Sequence, residues 1–380
     1  MSTSSAPLRP AWIEIDLNQL RRNLEIIRND MPPGLRWCAV VKDGAYGHGA
    51  AAIACETLRA GASCLAVATV EEGVQLRSEN IPTPILVFGE RIEEELECCL
   101  AQQLTCLVND EAQAQRLDRL ARKREQNITV HVEVDTGLSR HGVRWSKAAA
   151  LVCALQAYPN LEIGGLMTHF ARSDELDKTF AHEQLRRFYE VLNDLRARGI
   201  QIPLRHTCNS GGYLDLRHAH FEMVRMGILP LGVYPSQVCR RIEGLNPIMQ
   251  VKARVAALQH IEAGDHVGYG MRYTAERPRT IAVLPLGYGD GYPRVRNAGH
   301  VLIHGRRAPI VGGNAMDAMM VDVTDIPNVQ QRDEAVILGE QEGETISIHD
   351  LAKLGGTVSY DVMTKLRIRL PRVYLDGVVE

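Results

Sequence analysis

The segment WCAVVKDGAYGHG, residues 37–49, places a strand, a lysine and a glycine-rich turn in direct succession. Its apolar part, from Trp37 to Val41, has the unbroken hydrophobic character of a strand buried on both faces of a parallel sheet. Lys42 ends that strand, and the glycines after it predict a tight turn leading into a helix near Gly49. A lysine amine at the carboxyl end of a barrel strand is where Schiff-base chemistry on carbonyl compounds is usually built, so Lys42 is the first candidate functional residue.

Similar short apolar runs alternate with helical patterns from about residue 14 to 240. The eight runs are Trp37–Lys42, Cys64–Ala68, Ile85–Gly89, Thr105–Val108, Ile128–Asp135, Ile163–Phe170, Leu204–Asn209 and Met223–Gly227. Between them lie amphipathic segments such as 110–126 and 178–199, in which apolar residues recur at helical spacing. Eight strand–helix repeats predict an α/β fold, a (β/α)8 TIM-like barrel. An open parallel sheet covered by helices is the alternative.

The hydrophobic pattern of the sequence changes after Pro230, Pro235 and Pro247. Runs rich in Val, Ile and Leu, separated by glycine turns, replace the long helical patterns and predict a mainly β C-terminal domain. One short helix is expected at Ser347–Leu354, capped by Ser347 or by His349-Asp350. The predicted domains are a barrel over 14–240 and a mainly β domain over 241–380, with residues 1–13 packing against the β domain.

Composition excludes several classes of function. A chain of 380 residues with 45% hydrophobic and 23% charged residues is typical of a soluble globular protein with two domains. A formal net charge of -3 leaves no basic footprint for nucleic acid. We find no signal-peptide pattern and no apolar run of membrane-spanning length, so no membrane association is expected. The nine cysteines show no CxxC spacing, which predicts reduced thiols in a cytoplasmic protein and no metal site.

Each polar motif of the barrel region lies where a predicted strand ends. The motifs are VDTGLSR at 134–140, THFA at 168–171, CNS at 208–210 and VRMGI at 224–228. Taken singly they are weak signals, because a lone His169 or Arg225 is more often a structural residue than a catalytic one. In this order, together with the Lys42 segment, they resemble the alanine racemase family.

The resemblance extends from Trp12–Leu17 to Pro371-Arg372, nearly the whole chain. In the β region it is carried by GYG at 268–270, YTA at 273–275, PLGYGDG at 285–291, MD at 316–317, VDV at 321–323 and SYDV at 359–362. It implies pyridoxal phosphate (PLP) as cofactor and a homodimer in which each β domain completes the barrel site of the other subunit. Lys42 would act as base on one face of the substrate, and Tyr269 of the partner subunit on the other.

The resemblance also assigns the remaining site residues. Those that would bind the cofactor are Lys42, Tyr46, His169, Asn209, Ser210, Arg225, Gly227, Ile228 and Tyr360. Arg140 and the main-chain amide of Met316 would hold the substrate carboxylate. Arg225 would face the pyridine nitrogen, and because a guanidinium only donates hydrogen bonds, that nitrogen would stay unprotonated. A weakened electron sink favours racemisation over transamination or elimination.

The sequence departs from the family pattern at a few positions. Glu133 stands where many members have a lysine, often carbamylated, that orients the arginine matching Arg140; Glu supplies a carboxylate without modification. Gly268 replaces a small polar residue before the tyrosine. Gly313-Asn314-Ala315 removes the arginine usual at position 313, near the expected substrate access route.

The predicted function is therefore PLP-dependent racemisation of a small amino acid in the cytoplasm, alanine first and serine second. The departures at 313–315 keep open a racemase of a larger or basic amino acid. A PLP-dependent decarboxylase of the related fold is disfavoured because Cys239 is the last cysteine of the chain. A non-catalytic PLP-carrier barrel is disfavoured by the additional β domain with Tyr269.

Overall fold

The computed structural model describes residues 7–366 and 369–376. The chain divides into two compact units. One contains residues 21–45 and 50–245, and the other contains the N-terminal residues up to Leu20, the segment Tyr46–Gly49 and the chain from Asn246 onward. The long barrel segment ends at Leu245, and residues 14–20 and 46–49, which the prediction put in the barrel domain, fall in the other unit.

The described chain begins with strand β1 (Ala11–Asp16) and helix α1 (Leu17–Asp30). The side chain of Asp16 accepts a hydrogen bond from the Gln19 amide at 2.8 Å and so caps the start of the helix.

Eight parallel strands of the larger unit form a nearly closed barrel, as predicted. They are β2 (Arg36–Val40), β3 (Cys64–Val67), β4 (Ile85–Val87), β5 (Thr105–Val108), β6 (Ile128–Asp135), β8 (Leu161–Met167), β9 (Arg205–His206) and β10 (Met223–Met226), with the short β7 (Val143–Arg144) beside β6. The order is β10-β2-β3-β4-β5-β6-β8-β9, so neighbours in sequence are neighbours in the sheet except that β10 returns to pair with β2. Several of these strands are buried along their whole length, which explains their continuous apolar runs.

Helices alternate with the barrel strands. They are α2 (Lys42–Tyr46), α3 (Ala50–Arg59), α4 (Val70–Ser78), α5 (Glu93–Ala101), α6 (Glu111–Lys123), α7 (Trp145–Leu155), α8 (Thr179–Ala197) and α9 (Ser210–Asp215), with 3-10 turns at Arg217–Ala219 and Leu229–Leu231. The amphipathic predictions at 110–126 and 178–199 are confirmed by α6 and α8, which turn their apolar faces inward. Within the described part of the chain, every helix is too short or too polar to cross a lipid bilayer.

The second unit is mainly β, also as predicted. Its strands are β11 (Met249–Arg254), β12 (Ala257–Ile261), β13 (His266–Val267), β14 (Tyr273–Thr274), β15 (Arg279–Leu284), β16 (His300–Ile303), β17 (Arg306–Pro309), β18 (Met319–Asp322), β19 (Glu334–Gln341), β20 (Glu344–Ile346) and β21 (Arg372–Leu375). The N-terminal β1 lies inside this sheet, antiparallel to β11 and parallel to β21.

Helices α10 (Ile348–Leu354) and α11 (Ser359–Lys365) and a 3-10 turn at Tyr288–Asp290 complete the unit. Ser347 caps α10 in a reciprocal box with Asp350, one of the two capping arrangements expected.

Candidate active site

Lys42 follows the carboxyl end of β2, where the sequence places it, but the turn after it is unusual. Helix α2 is a single left-handed turn: Asp43, Gly44, Ala45 and Tyr46 have φ angles of 56°, 60°, 52° and 53°. This conformation costs roughly 1–2 kcal/mol for each non-glycine residue, so neighbouring contacts must hold it. The Glu72 carboxylate at the start of α4 supplies one, because it accepts hydrogen bonds from the amides of Asp43 and Ala68.

The amine of Lys42 lies in a setting that favours its neutral form. The side chain is half-buried, and within the described residues its Nζ has neither a hydrogen bond nor an ion pair. Loss of hydration lowers the pKa of Lys42, and the positive charge of Arg140 lowers it further. A lysine with a depressed pKa is a better nucleophile and base near neutral pH.

Arg225 on β10 is held rigidly inside the barrel. It is 2% exposed. Nη1 donates to the carbonyl oxygen of His206 at 2.8 Å and lies 3.0 Å from its Nδ1. Nη2 donates to the carbonyl oxygens of Thr168 and Thr207 at 2.9 and 3.2 Å, and lies 3.2 Å from Nδ1 of His169. Within the described residues the Nε–H has no partner, so that donor remains available.

His169 and Arg225 are therefore brought together as predicted from the sequence. The carbonyl oxygen of His169 accepts a hydrogen bond from Gln184 at 3.0 Å, which fixes its backbone. Burial first, and then the charges of Arg225, Arg140 and Lys42, hold the pKa of His169 well below its usual value. This histidine stays neutral at physiological pH.

Two buried histidines that the sequence analysis missed extend this group. His206 Nε2 lies 2.8 Å from Nδ1 of His131, and the two rings meet edge-on at 5.0 Å between centroids. A signal was present: His131 is a polar residue within the apolar strand Ile128–Asp135, where an inward-facing polar side chain needs a buried partner.

The predicted phosphate-binding residues of the barrel also meet. Ser210 Oγ accepts a hydrogen bond from the amide of Gly227 at 3.3 Å. Asn209 caps α9 by accepting from the Gly212 amide at 2.9 Å, and Ser173 donates to the same oxygen at 2.8 Å. Ser210 after β9 and Gly227 after β10 are thus in contact, and the buried Ile228 follows in the chain; phosphate binding by these residues stays a prediction.

The expected pairing of Glu133 with Arg140 is not seen. Arg140 is exposed, and within the described residues no ion pair joins the two side chains. Glu133 is buried, and its Oε2 has no hydrogen-bond partner in the part of the chain that the structure describes. Burial raises the pKa of Glu133, whereas the charges of Arg225, His141 and Arg140 oppose that rise.

Tyr46 and Tyr360, both predicted to bind the cofactor, lie together in the mainly β unit. Their rings meet edge-on at 6.0 Å between centroids. The segment Tyr46–Gly49 is anchored by β21, since Arg372 donates to the carbonyl oxygen of Gly47 at 2.8 Å.

Tyr269 occupies the turn of the β13–β14 hairpin and is 80% exposed. Gly268 and Gly270 on either side of it have φ angles of 74° and 73°, a conformation that glycine adopts at little cost. A Cβ atom at Gly268 would lie 3.1 Å from the backbone nitrogen and oxygen of Gly313. Two of the departures from the family pattern are therefore in contact with each other.

Asn314 and Met316 have different surroundings, although they are two residues apart. Asn314 is buried and faces the fold: its Oδ1 accepts from the Val295 amide and its Nδ2 donates to the Pro293 carbonyl, both at 2.9 Å. Met316 has an exposed side chain, while its carbonyl oxygen accepts from the Gly289 amide at 2.9 Å. Of the 313–315 departures, Asn314 thus has a structural role.

Comparison with known proteins agrees with this arrangement. Residues 15–235 match the family model of the alanine racemase N-terminal domain, and residues 248–374 match that of the C-terminal domain. An alanine racemase from Halothermothrix orenii is 40% identical over 371 residues, covering 97% of this chain and 98% of its own.

Solved structures give the same result. An alanine racemase from Clostridium difficile superposes with a TM-score of 0.93 at 32% identity, covering 97% of both chains. A Bartonella henselae alanine racemase with covalently bound pyridoxal phosphate gives a TM-score of 0.85 at 28% identity, covering 96% of this chain and 99% of its own.

Proposed function

Because the chain belongs to the alanine racemase family, we propose that it interconverts L- and D-alanine with pyridoxal phosphate as cofactor. Lys42 and Tyr269 act as the two bases. The observation that supports this most strongly is that one barrel contains both a Lys42 amine of lowered pKa and a buried Arg225 guanidinium. Among the described residues, neither the Lys42 Nζ nor the Arg225 Nε–H has a hydrogen-bond partner. The alternative of a PLP-dependent decarboxylase has no support in the family comparison.

The residues present fit the cofactor. An aldehyde reacts with a neutral lysine amine, and the lowered pKa of Lys42, caused first by burial, favours that form. A pyridine nitrogen is a hydrogen-bond acceptor, and the Nε–H of Arg225 is a donor. The five contacts that Nη1 and Nη2 make inside the barrel hold this donor in place. A phosphate needs N–H and O–H donors, which Ser210, Gly227, Ile228 and the two tyrosines Tyr46 and Tyr360 offer.

Pyridoxal phosphate, when bound, withdraws electrons from the α-carbon of an amino acid and so acidifies its Cα–H bond. This chain's residues then need only place the substrate and move one proton. Lys42 Nζ takes or returns the proton on one face of Cα, and the phenol oxygen of Tyr269 does so on the opposite face. Arg225 holds a permanent positive charge and cannot give up a proton, which limits competing reactions.

Tyr269 reaches the site from a second copy of the chain. The exposure of its side chain supports this, because a catalytic tyrosine needs surroundings that exclude water and position its oxygen. We infer a homodimer with two shared sites, in which each subunit supplies its Tyr269 to the site of the other subunit.

The substrate carboxylate is held by Arg140 and the main-chain amide of Met316. Reduced cysteines support a cytoplasmic location, since all nine are free.

The test is a panel of L-amino acids followed by loss of optical rotation or by chiral chromatography. With a family-like pocket, rates fall steeply from alanine through serine to leucine and lysine, since overpacking a tight site costs ~1–3 kcal/mol. If bulky or basic substrates match or exceed alanine in kcat/KM, the alanine assignment is wrong, and the missing side chain at Gly313 is the first position to examine. No racemisation of any amino acid by the PLP-loaded protein would overturn the proposal as a whole.

A further inference from the structure

Two buried histidines, His131 and His206, form one continuous line of hydrogen bonds with Arg225 inside the barrel. From the outer end, His131 Nδ1 lies 2.8 Å from His206 Nε2, and His206 Nδ1 lies 3.0 Å from Arg225 Nη1. All three residues are buried, with His131 the most exposed at 5%. We call His131, His206 and Arg225 the histidine line.

The chemistry of its inner end determines the proton positions along the whole line. A guanidinium nitrogen can only donate, so the Nδ1 of His206 must carry a lone pair. A neutral His206 then has its proton on Nε2 and donates it to Nδ1 of His131. Nδ1 of His131 must therefore be unprotonated in order to accept this hydrogen bond, and His131 carries its own proton on Nε2. In the natural protein the bonds at both ends of His206 therefore favour the same tautomer of that ring.

Both imidazoles are held neutral, as this arrangement requires. Burial, followed by the charge of Arg225, lowers the pKa of His131 to about 4. The same two causes, with His131 as a third, hold the pKa of His206 well below its usual value. An added proton on either ring would make two N–H groups face each other. In the described part of the chain, no carboxylate is hydrogen-bonded to His131, His206 or Arg225.

The fold makes room for the outer member of the line. His131 on β6 pairs in register with Gly165 on β8. A Cβ atom at position 165 would lie 2.7 Å from Nδ1 of His131, so a larger residue would displace the ring from His206.

We propose that His131 is a positioning residue for the racemisation: it holds His206 in the Nε2–H tautomer, which keeps a lone pair facing Arg225 and so aims the guanidinium. Without an acceptor at position 131, the Nε2–H of His206 is buried and unpaired, so that tautomer keeps the bond from Arg225 but loses the bond to position 131. In the opposite tautomer its Nδ1–H points at Nη1 of Arg225, and the guanidinium must move away.

Two substitutions separate this role from simple packing. In His131→Asn the side-chain oxygen is two bonds from Cβ, as Nδ1 is, and it can accept from His206. In His131→Leu a methyl group of similar size stands there and cannot accept. His220→Asn removes another buried histidine outside the line, whose Nε2 bonds to the Tyr213 carbonyl oxygen, and serves as the control for histidine loss.

The direct measurement is nitrogen NMR of the histidine rings in the holoenzyme at neutral pH, which distinguishes protonated from bare ring nitrogens. We expect Nε2–H and bare Nδ1 for His206 and His131 in the natural protein. His131→Asn and His220→Asn should keep the His206 pattern, whereas His131→Leu should give a mixture of tautomers. This readout does not depend on the proposed racemisation and can succeed if that proposal fails.

The kinetic measurement rests on the proposed function. We expect kcat for alanine to fall about tenfold in His131→Leu, with little change in KM, and to recover within about threefold in His131→Asn. A His206 that is protonated on Nδ1 in the natural protein overturns the proposal. Equal effects of His131→Asn and His131→Leu on the His206 tautomer and on kcat overturn it too, because they would mean that His131 acts only by packing. If His131→Leu does not fold, the tautomers of the natural protein and of His131→Asn decide the question.

Discussion

The barrel residues around Arg225 and the hairpin that carries Tyr269, which we propose serve the same reaction, lie in opposite physical settings. Arg225 is 2% exposed and all its terminal N–H groups are directed into the protein, whereas Tyr269 is 80% exposed on a turn bounded by glycines. Burial and hydrogen bonds therefore define the barrel half within one chain. The hairpin supplies only a backbone shape, and the proposed homodimer would supply the surroundings of Tyr269 from a second copy of the chain.

The largest effect is expected on the barrel side, from Lys42→Ala. Loss of the amine removes both the covalent attachment of the cofactor and one base, so racemisation should fall by more than about a thousandfold. In the natural protein, borohydride reduction followed by mass spectrometry should place the cofactor adduct on Lys42. An adduct on a different lysine would contradict the assignment.

The dependence of the hairpin on a second chain is tested by mixing two inactive variants, Lys42→Ala and Tyr269→Phe. A hybrid dimer has one site with both bases, so random exchange should restore about a quarter of the natural activity. Subunit exchange is checked with differently tagged chains. If exchange occurs without recovery, the two residues act within a single chain.

Charge reversal at Arg225 tests whether the buried cation controls the outcome of the reaction. Arg225→Glu exchanges a guanidinium for a carboxylate at a site with several carbonyl oxygens. Reversing this buried charge should change the electrostatic free energy of the site by about 3–5 kcal/mol. We expect slower racemisation, more transamination and an altered visible absorption spectrum. Arg225→Lys, which keeps the charge, is the matched control. An unchanged spectrum and product ratio in Arg225→Glu would place Arg225 away from the cofactor.

The buried His131 in the barrel should also make the free energy of unfolding dependent on pH. The folded-state pKa of His131 is about 4, below the value of 6.5 for the free side chain, because burial and Arg225 disfavour its charged form. The unfolded chain therefore binds more protons between these values. The free energy of unfolding should fall by up to about 3 kcal/mol from pH 6.5 to pH 4. Urea titrations across this range measure it, and His131→Asn should reduce the slope. An unchanged slope in that variant would mean that other groups carry the dependence.

The smallest effect is expected from the glycine contact under the hairpin. In Gly268→Ala the alanine must adopt a positive φ, and its Cβ would lie 3.1 Å from the backbone of Gly313. The substitution should therefore cost about 1–2 kcal/mol of stability. Gly343→Ala, also at positive φ but with open space around it, isolates the conformational part. Thermal unfolding of both variants measures the difference in lost stability. Equal losses would mean that the contact between position 268 and Gly313 does not contribute.

Much of the fold could be read from the sequence because its pattern is local. A buried parallel strand needs a short continuous apolar run, and a surface helix needs apolar residues at its own period, so all eight barrel strands and the helices at 110–126 and 178–199 were predictable. Lys42, His169 and Arg225 could be selected because each lies at a strand end within a recognisable motif.

Other features depend on the folded chain. The left-handed turn at 43–46 contains one glycine among four residues, and its conformation is held by Glu72, which is distant in sequence. His131 and His206 are 75 residues apart and meet only because their strands face the same barrel interior. Asn314, which is part of a sequence departure, proves to bond the 293–295 segment.

The sequence by itself determined which side chains are available and at which strand ends they stand, since those follow from periodicity and motif order. The tertiary structure alone decided their protonation and their partners. Proton positions, pKa values and unpaired atoms depend on burial and on groups brought close from distant parts of the chain, and no local pattern encodes those distances.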